Sequence, residues 1–146
     1  MTRDTSSLSS RRAALSAVAA GGALGGSARY GLLLAQPPAP GGFPWVTFTT
    51  NVVGCALIGV LMVLLTEAPA PPHPLVRPFL GVGLLGGFTT FSTYAMETHS
   101  LVADGSPQVA MVYLVATPVA AVGAVFVSSA GTRWVARLVE RKAVEG

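Results

Sequence analysis

The residues best suited to chemistry lie in one run, Gly86-Gly87-Phe88-Thr89-Thr90-Phe91-Ser92-Thr93-Tyr94. The run sits inside a hydrophobic segment, yet it is a poor helix. Its glycine pair weakens helical winding, and the hydroxyl residues Thr89, Thr90, Ser92 and Thr93 add to that. An interruption at membrane depth is tolerated only where protein or a polar cavity covers it. Carbonyls freed at such a break can coordinate a small cation, while freed amides and hydroxyls can face an anion. Phe91 and Tyr94 are three residues apart and share a helix face. An aromatic ring has a positive edge. Two such edges can touch an anion weakly enough to let it leave again. Aromatics at helical spacing are ordinarily core packing; beside a glycine pair and a cluster of hydroxyls we read them as an ion pathway.

Other polar residues stand in apolar surroundings. Asn51 follows Thr47, Thr49 and Thr50 and precedes Gly54 and Gly59. A carboxamide in hydrocarbon needs a hydrogen-bond partner. It either cross-links helices or offers its NH2 to a passing anion, as a donor that does not trap the anion by charge. Arg29 fits two readings as well: it snorkels to the interface, or it lends positive potential to the mouth of an anion pathway. Tyr113 and Thr117 are one turn apart and extend a polar strip. Glu97 and His99 fall near a helix end, where an interfacial or salt-bridged carboxylate is ordinary. Cys55, the only cysteine, sits in an apolar run and reads as packing. There is no nucleophile-histidine-acid set inside the apolar segments, no Cys/His metal cluster and no phosphate-binding loop. The chemistry is that of a channel or transporter, not an enzyme.

The elements that must position these residues follow from composition. Of 146 residues, 51% are hydrophobic and 10% charged, against about 25% charge in a soluble domain. Mean hydropathy is +0.62. Lipid must be the main solvent. Four apolar segments are predicted to be transmembrane helices, at about Ala13 to Ala35, Trp45 to Thr66, Leu75 to Val102 and Val109 to Val135. Each is near or above the roughly 20 residues a crossing requires. Proline-rich and glycine-rich linkers separate them, at Gln36 to Gly42, Ala68 to Pro74 and Asp104 to Pro107. The expected organisation is a basic tail over 1–12, one four-helix channel domain over 13–135 and a basic tail over 136–146. Ser10-Arg11-Arg12-Ala13-Ala14-Leu15 resembles a twin-arginine export signal, but the apolar run continues through Gly26 to Arg29, so the first helix is expected to remain.

Charge placement sets an orientation. With four crossings, both termini and the second linker share one side. That side carries Arg3, Arg11, Arg12, Arg77, Arg133, Arg137, Arg141 and Lys142, and the other carries only Arg29. The bias predicts cytoplasmic termini. It also accounts for the basic pI of 9.6 without a nucleic-acid partner, because the cations flank apolar stretches.

These residues resemble those of the CrcB or Fluc family of small bacterial fluoride channels. The resemblance rests on Gly21-Gly22-x-x-Gly25-x-x-x-Arg29-Tyr30, on Thr47-x-x-x-Asn51-x-x-Gly54-x-x-x-x-Gly59, and on the run from Gly86 to Tyr94 with Glu97 beyond it. It covers roughly Ala20 to Ala130. The resemblance implies an all-α membrane protein with a break in the third helix, paired with an antiparallel second subunit in a dual-topology dimer. It implies a structural sodium ion held by backbone carbonyls at Gly86 and Thr89. It implies a fluoride path lined by Phe91 and Tyr94, with Asn51 donating, Ser92, Thr93, Tyr113 and Thr117 along the strip, and Arg29 at the pore vestibule. Passive efflux of fluoride across the bacterial inner membrane is the implied function. The chain departs from the pattern at Tyr94, usually Phe, and at Val46, usually Gly; the later hydroxyls of the fourth helix are apolar here.

An antiparallel homodimer needs a chain that inserts both ways, hence balanced flanking charge. The bias in this chain predicts one preferred orientation and pairing with an oppositely oriented paralogue. An exporter of cationic drugs is the competing transport class, but it needs a buried carboxylate early in the chain, and the first two helices have none. A membrane scaffold would not need a break rich in hydroxyls.

Overall fold

The computed structural model describes residues 5–37, 39–67 and 71–145. Arg3, Pro38, Ala68, Pro69 and Ala70 lie outside the described residues, as does the side chain of Lys142. The described chain is helical, in the order α1 (Thr5–Ala35), α2 (Trp45–Thr66), α3, α4 (Phe91–Ala103) and α5 (Pro107–Glu145). Helix α3 is wound as a wide π-helix over Arg77–Leu85 and closes as an α-turn over Gly86–Phe88. Together α3 and α4 make the third crossing.

Both predicted tails are helical where described. Helix α1 begins at Thr5, well before Ala13, and α5 continues past Val135 to Glu145. Among the described residues, three stretches are long and apolar enough to span a membrane: Trp45–Thr66, Arg77–Ala103 and Pro107–Val139. Helix α1 has the length, at 31 residues or about 47 Å. Its serines, glycines and arginines dilute its apolar character, so it does not join the three by composition.

Backbone contact, made possible by glycine, holds α1 against α3. A Cβ on Gly87 would lie 2.6 Å from the Gly22 carbonyl oxygen, and one on Gly83 would lie 2.8 Å from that of Val18. Small residues at such an interface let two helices approach closely in lipid. Val18 meets Gly83, and Arg29, farther along, meets Gly87, so the two helices run in the same direction. Helices α2 and α5 also run together: Ser129 donates to the Gly59 carbonyl at 3.2 Å, and Arg133 pairs with Glu67 at 2.7 Å. This alternation gathers Arg11, Arg12, Arg77, Arg133, Arg137 and Arg141 at one end. The core lies toward the other end, where Tyr94, Leu101, Ala110 and Tyr113 are buried and Phe43, Phe48 and Val109 pack against them.

Candidate functional site

The break in the third crossing falls two residues beyond the glycine pair. Gly86 and Gly87 stay helical; Thr89 (φ −79°, ψ 158°) and Thr90 (φ −152°, ψ 125°) are extended. Gly87 serves close packing against α1, and the interruption belongs to the threonines. Their β-branched side chains lose little in extended backbone, and Thr90 gains a specific role there. Its hydroxyl caps α4 by accepting from the Thr93 amide at 3.1 Å.

Asn51 holds the break open from α2. Its Nδ2 donates to the Thr90 carbonyl at 3.0 Å, and its Oδ1 accepts from the Thr90 amide at 2.8 Å. One carboxamide thus satisfies the Thr90 amide, which has no helical partner, and adds a second bond to the Thr90 carbonyl, which as N-cap also serves the first turn of α4. Asn51 is 8% exposed. The cross-linking reading of this residue holds, and one N–H of Nδ2 remains beyond the clamp. The Leu85 carbonyl accepts from the Thr89 hydroxyl and the Gly87 carbonyl from Arg29 Nε at 3.3 Å, whereas those of Gly86 and Thr89 take none of these donors. Carbonyl oxygens of that kind suit a hard monovalent cation. Arg29 is therefore tethered to the break, a contact that neither sequence reading foresaw.

Beside the break lies a cavity of about 280 Å³, lined by Asn51, Cys55, Thr89, Thr90, Phe91, Tyr94, Thr117, Pro118 and Ala121. Five of the sequence-predicted residues converge here: Asn51, Thr89, Phe91, Tyr94 and Thr117. The rings of Phe91 and Tyr94 are 5.6 Å apart and tilted by 51°. The two differ sharply in exposure, 79% for Phe91 and 7% for Tyr94. The Thr117 hydroxyl is buried and, alone among the buried side-chain polar atoms of the described residues, has no hydrogen-bond partner. A buried unsatisfied hydroxyl calls for an explanation, and an unseen ion or water is the usual one.

The other predicted residues lie elsewhere. Thr93 faces a different cavity, shared with Glu97, and its Oγ1 accepts from the Thr90 hydroxyl at 3.0 Å. Ser92 is exposed and 3.3 Å from the same hydroxyl. Tyr113 is fully buried, and its ring packs against that of Tyr94 at 5.1 Å, tilted by 60°. Its hydroxyl donates to Glu97 Oε2 at 2.7 Å, and Thr47 donates to Oε1 at 2.8 Å. Glu97 is thus neither salt-bridged nor free; two hydroxyls hold it, one from α2 and one from α5. Sequence reasoning missed this cluster, although Glu97 stands one turn beyond Tyr94 and on its face. It read Thr90 only as one hydroxyl of the broken run and missed its capping role, although a threonine just before an apolar helical run is an N-cap signal.

A family model described as CrcB-like protein, Camphor Resistance (CrcB), matches residues 16–129. A Streptomyces coelicolor protein named fluoride-specific ion channel FluC 1 is 55% identical over 122 residues, 84% of this chain and 76% of that protein. A Streptomyces avermitilis protein named FluC 2 is 59% identical over 100 residues, 68% of this chain and 63% of its own. A Nocardia farcinica FluC 2 is 50% identical over 122 residues, covering 84% of this chain and 86% of that protein.

Proposed function

The chain belongs to the CrcB-like family, and from that premise we propose that it is a fluoride-selective channel subunit that lets fluoride leave the cell passively across the cytoplasmic membrane. Its class is ion transport, not catalysis. The observation that carries the reading is the cavity beside the break, where an unpartnered hydroxyl meets two aromatic rings and a clamped carboxamide.

Fluoride is small and strongly hydrated, so a pathway must replace its water without holding it too tightly. Thr117 supplies a hydroxyl donor, and Asn51 supplies the N–H left over from the clamp. Phe91 and Tyr94 present ring edges, which attract an anion through the ring quadrupole. These groups are all uncharged, so the ion can move on. Beyond the cavity, the contact of Tyr94 with Tyr113 leads toward Glu97 and Thr47. Thr93 and Ser92 flank the break on its exposed side. Arg29, tethered by one N–H, keeps the rest of its guanidinium to hold positive potential at the vestibule.

The exposure of Phe91 supports a second subunit. A pathway ring left 79% open in one chain is incomplete until something covers it, and Gly86 is exposed as well. We place an antiparallel partner there, either the same chain or a paralogue. The carbonyls of Gly86 and Thr89 fit a structural sodium ion at that interface, where it would supply a fixed positive charge tying the two breaks together. The arginine-rich end faces the cytoplasm of a bacterial cell, with both termini.

Phe91→Ile tests the pathway. It keeps apolar bulk and removes the ring edge. Fluoride efflux from liposomes should be abolished while the assembled protein elutes unchanged on gel filtration. Unaltered efflux would remove Phe91 from the pathway.

A further inference from the structure

Helix α5 contains an internal proline, Pro118, four residues after Leu114. Proline has no N–H, so the Leu114 carbonyl loses its helical donor. Within a membrane such a carbonyl has to find another, because lipid offers none. Here it accepts a hydrogen bond from the Tyr94 hydroxyl at 2.6 Å. The two side chains meet at one place: Tyr94 and Pro118 both line the cavity beside the break. Tyr94 is buried, and its ring lies between those of Phe91 at 5.6 Å and Tyr113 at 5.1 Å.

We propose that the Tyr94 hydroxyl is a positioning group that stands in for the amide Pro118 lacks, and that this bond fixes the Tyr94 ring beside Phe91. A phenol has one proton to donate. That proton goes to Leu114, so the hydroxyl is not a donor to the moving ion, and Thr117 one residue before the proline is. Tyr94 and Pro118 form a matched pair: the tyrosine is needed because of the proline. The link across α4 and α5 follows from bonding alone; its consequence for conduction rests on the channel reading above.

The pairing predicts a dependence between two substitutions, made in the full chain. Tyr94→Phe should lower the melting temperature in detergent by several degrees and reduce fluoride efflux several-fold, because it orphans the Leu114 carbonyl. Pro118→Ala restores an amide to that carbonyl, so in the Pro118→Ala background Tyr94→Phe should cost less than a third as much on both readouts. Pro118→Leu repeats the cycle with a second residue that carries an N–H. An equal loss in both backgrounds would overturn the pairing, as would no loss from Tyr94→Phe alone. A melting temperature that recovers while efflux stays low would place the hydroxyl on the ion and overturn the positioning role. Absence of fluoride efflux from the unsubstituted protein would remove the channel reading, and the melting cycle would still decide whether the pair exists.

Discussion

Asn51→Ala should loosen the break in a measurable way. The substitution removes both hydrogen bonds of the clamp, the 3.0 Å donation to the Thr90 carbonyl and the 2.8 Å acceptance from its amide. Thr90 is partly buried and lies between two helices in extended backbone, so neighbouring residues cannot take up the lost bonds by continuing the helix. The Thr90 amide left unsatisfied costs about 1–3 kcal/mol, while the carbonyl, as N-cap, keeps its place in the first turn of α4. Hydrogen bonds inside membranes average about 0.6 kcal/mol when measured by double-mutant cycles, which sets a floor of about 1.2 kcal/mol. Chemical denaturation in detergent micelles, followed by the fluorescence of Trp45 and Trp134, reads this loss. Asn51→Asp sharpens the test: its carboxylate turns an oxygen toward the Thr90 carbonyl, where the donor stood, and buries a charge, so its stability should fall below that of Ala. Its negative charge should also suppress anion flux. A stability change below about 0.5 kcal/mol for Asn51→Ala, the size of an ordinary surface substitution, would refute the clamp.

Two further substitutions separate packing from passage. Thr117→Val removes a buried hydroxyl that bonds to nothing, so thermal stability should hold or rise while fluoride efflux falls; a loss of stability equal to the loss of flux would make the hydroxyl structural. Gly87→Ala forces a methyl to within 2.6 Å of the Gly22 carbonyl and should destabilise the protein by about 1–3 kcal/mol, read as a lower melting temperature; unchanged melting would mean that α1 and α3 do not touch through backbone.

Much of the fold was legible because hydrophobic length is a coarse signal. The expected second helix, Trp45 to Thr66, coincides with α2, and the expected first helix ends where α1 ends, at Ala35. The start of α1 and the end of α5 were not legible, because apolar runs mark where lipid begins and not where helical winding stops. The site was legible in its residue types and only partly in its geometry. Glycines announced an interruption, but Gly87 is used for contact with α1, and the interruption itself sits on Thr89 and Thr90. Asn51 could be read as either clamp or donor; only the position of Thr90 across from it decides that the clamp is made. Glu97 looked interfacial because its partners, Thr47 and Tyr113, lie 50 and 16 residues away in sequence. The departure at Tyr94 became intelligible once Leu114 and Pro118 were seen against it, a relation no local pattern contains.

The most direct test of the account is anion efflux from liposomes carrying the channel assembled on this chain, purified through a tag on it together with any second subunit it holds. With potassium permeability supplied by an ionophore, an ion-selective electrode should record rapid release of trapped fluoride and retention of trapped chloride. Fluoride retained as in protein-free vesicles, or chloride released as fast as fluoride, would contradict it.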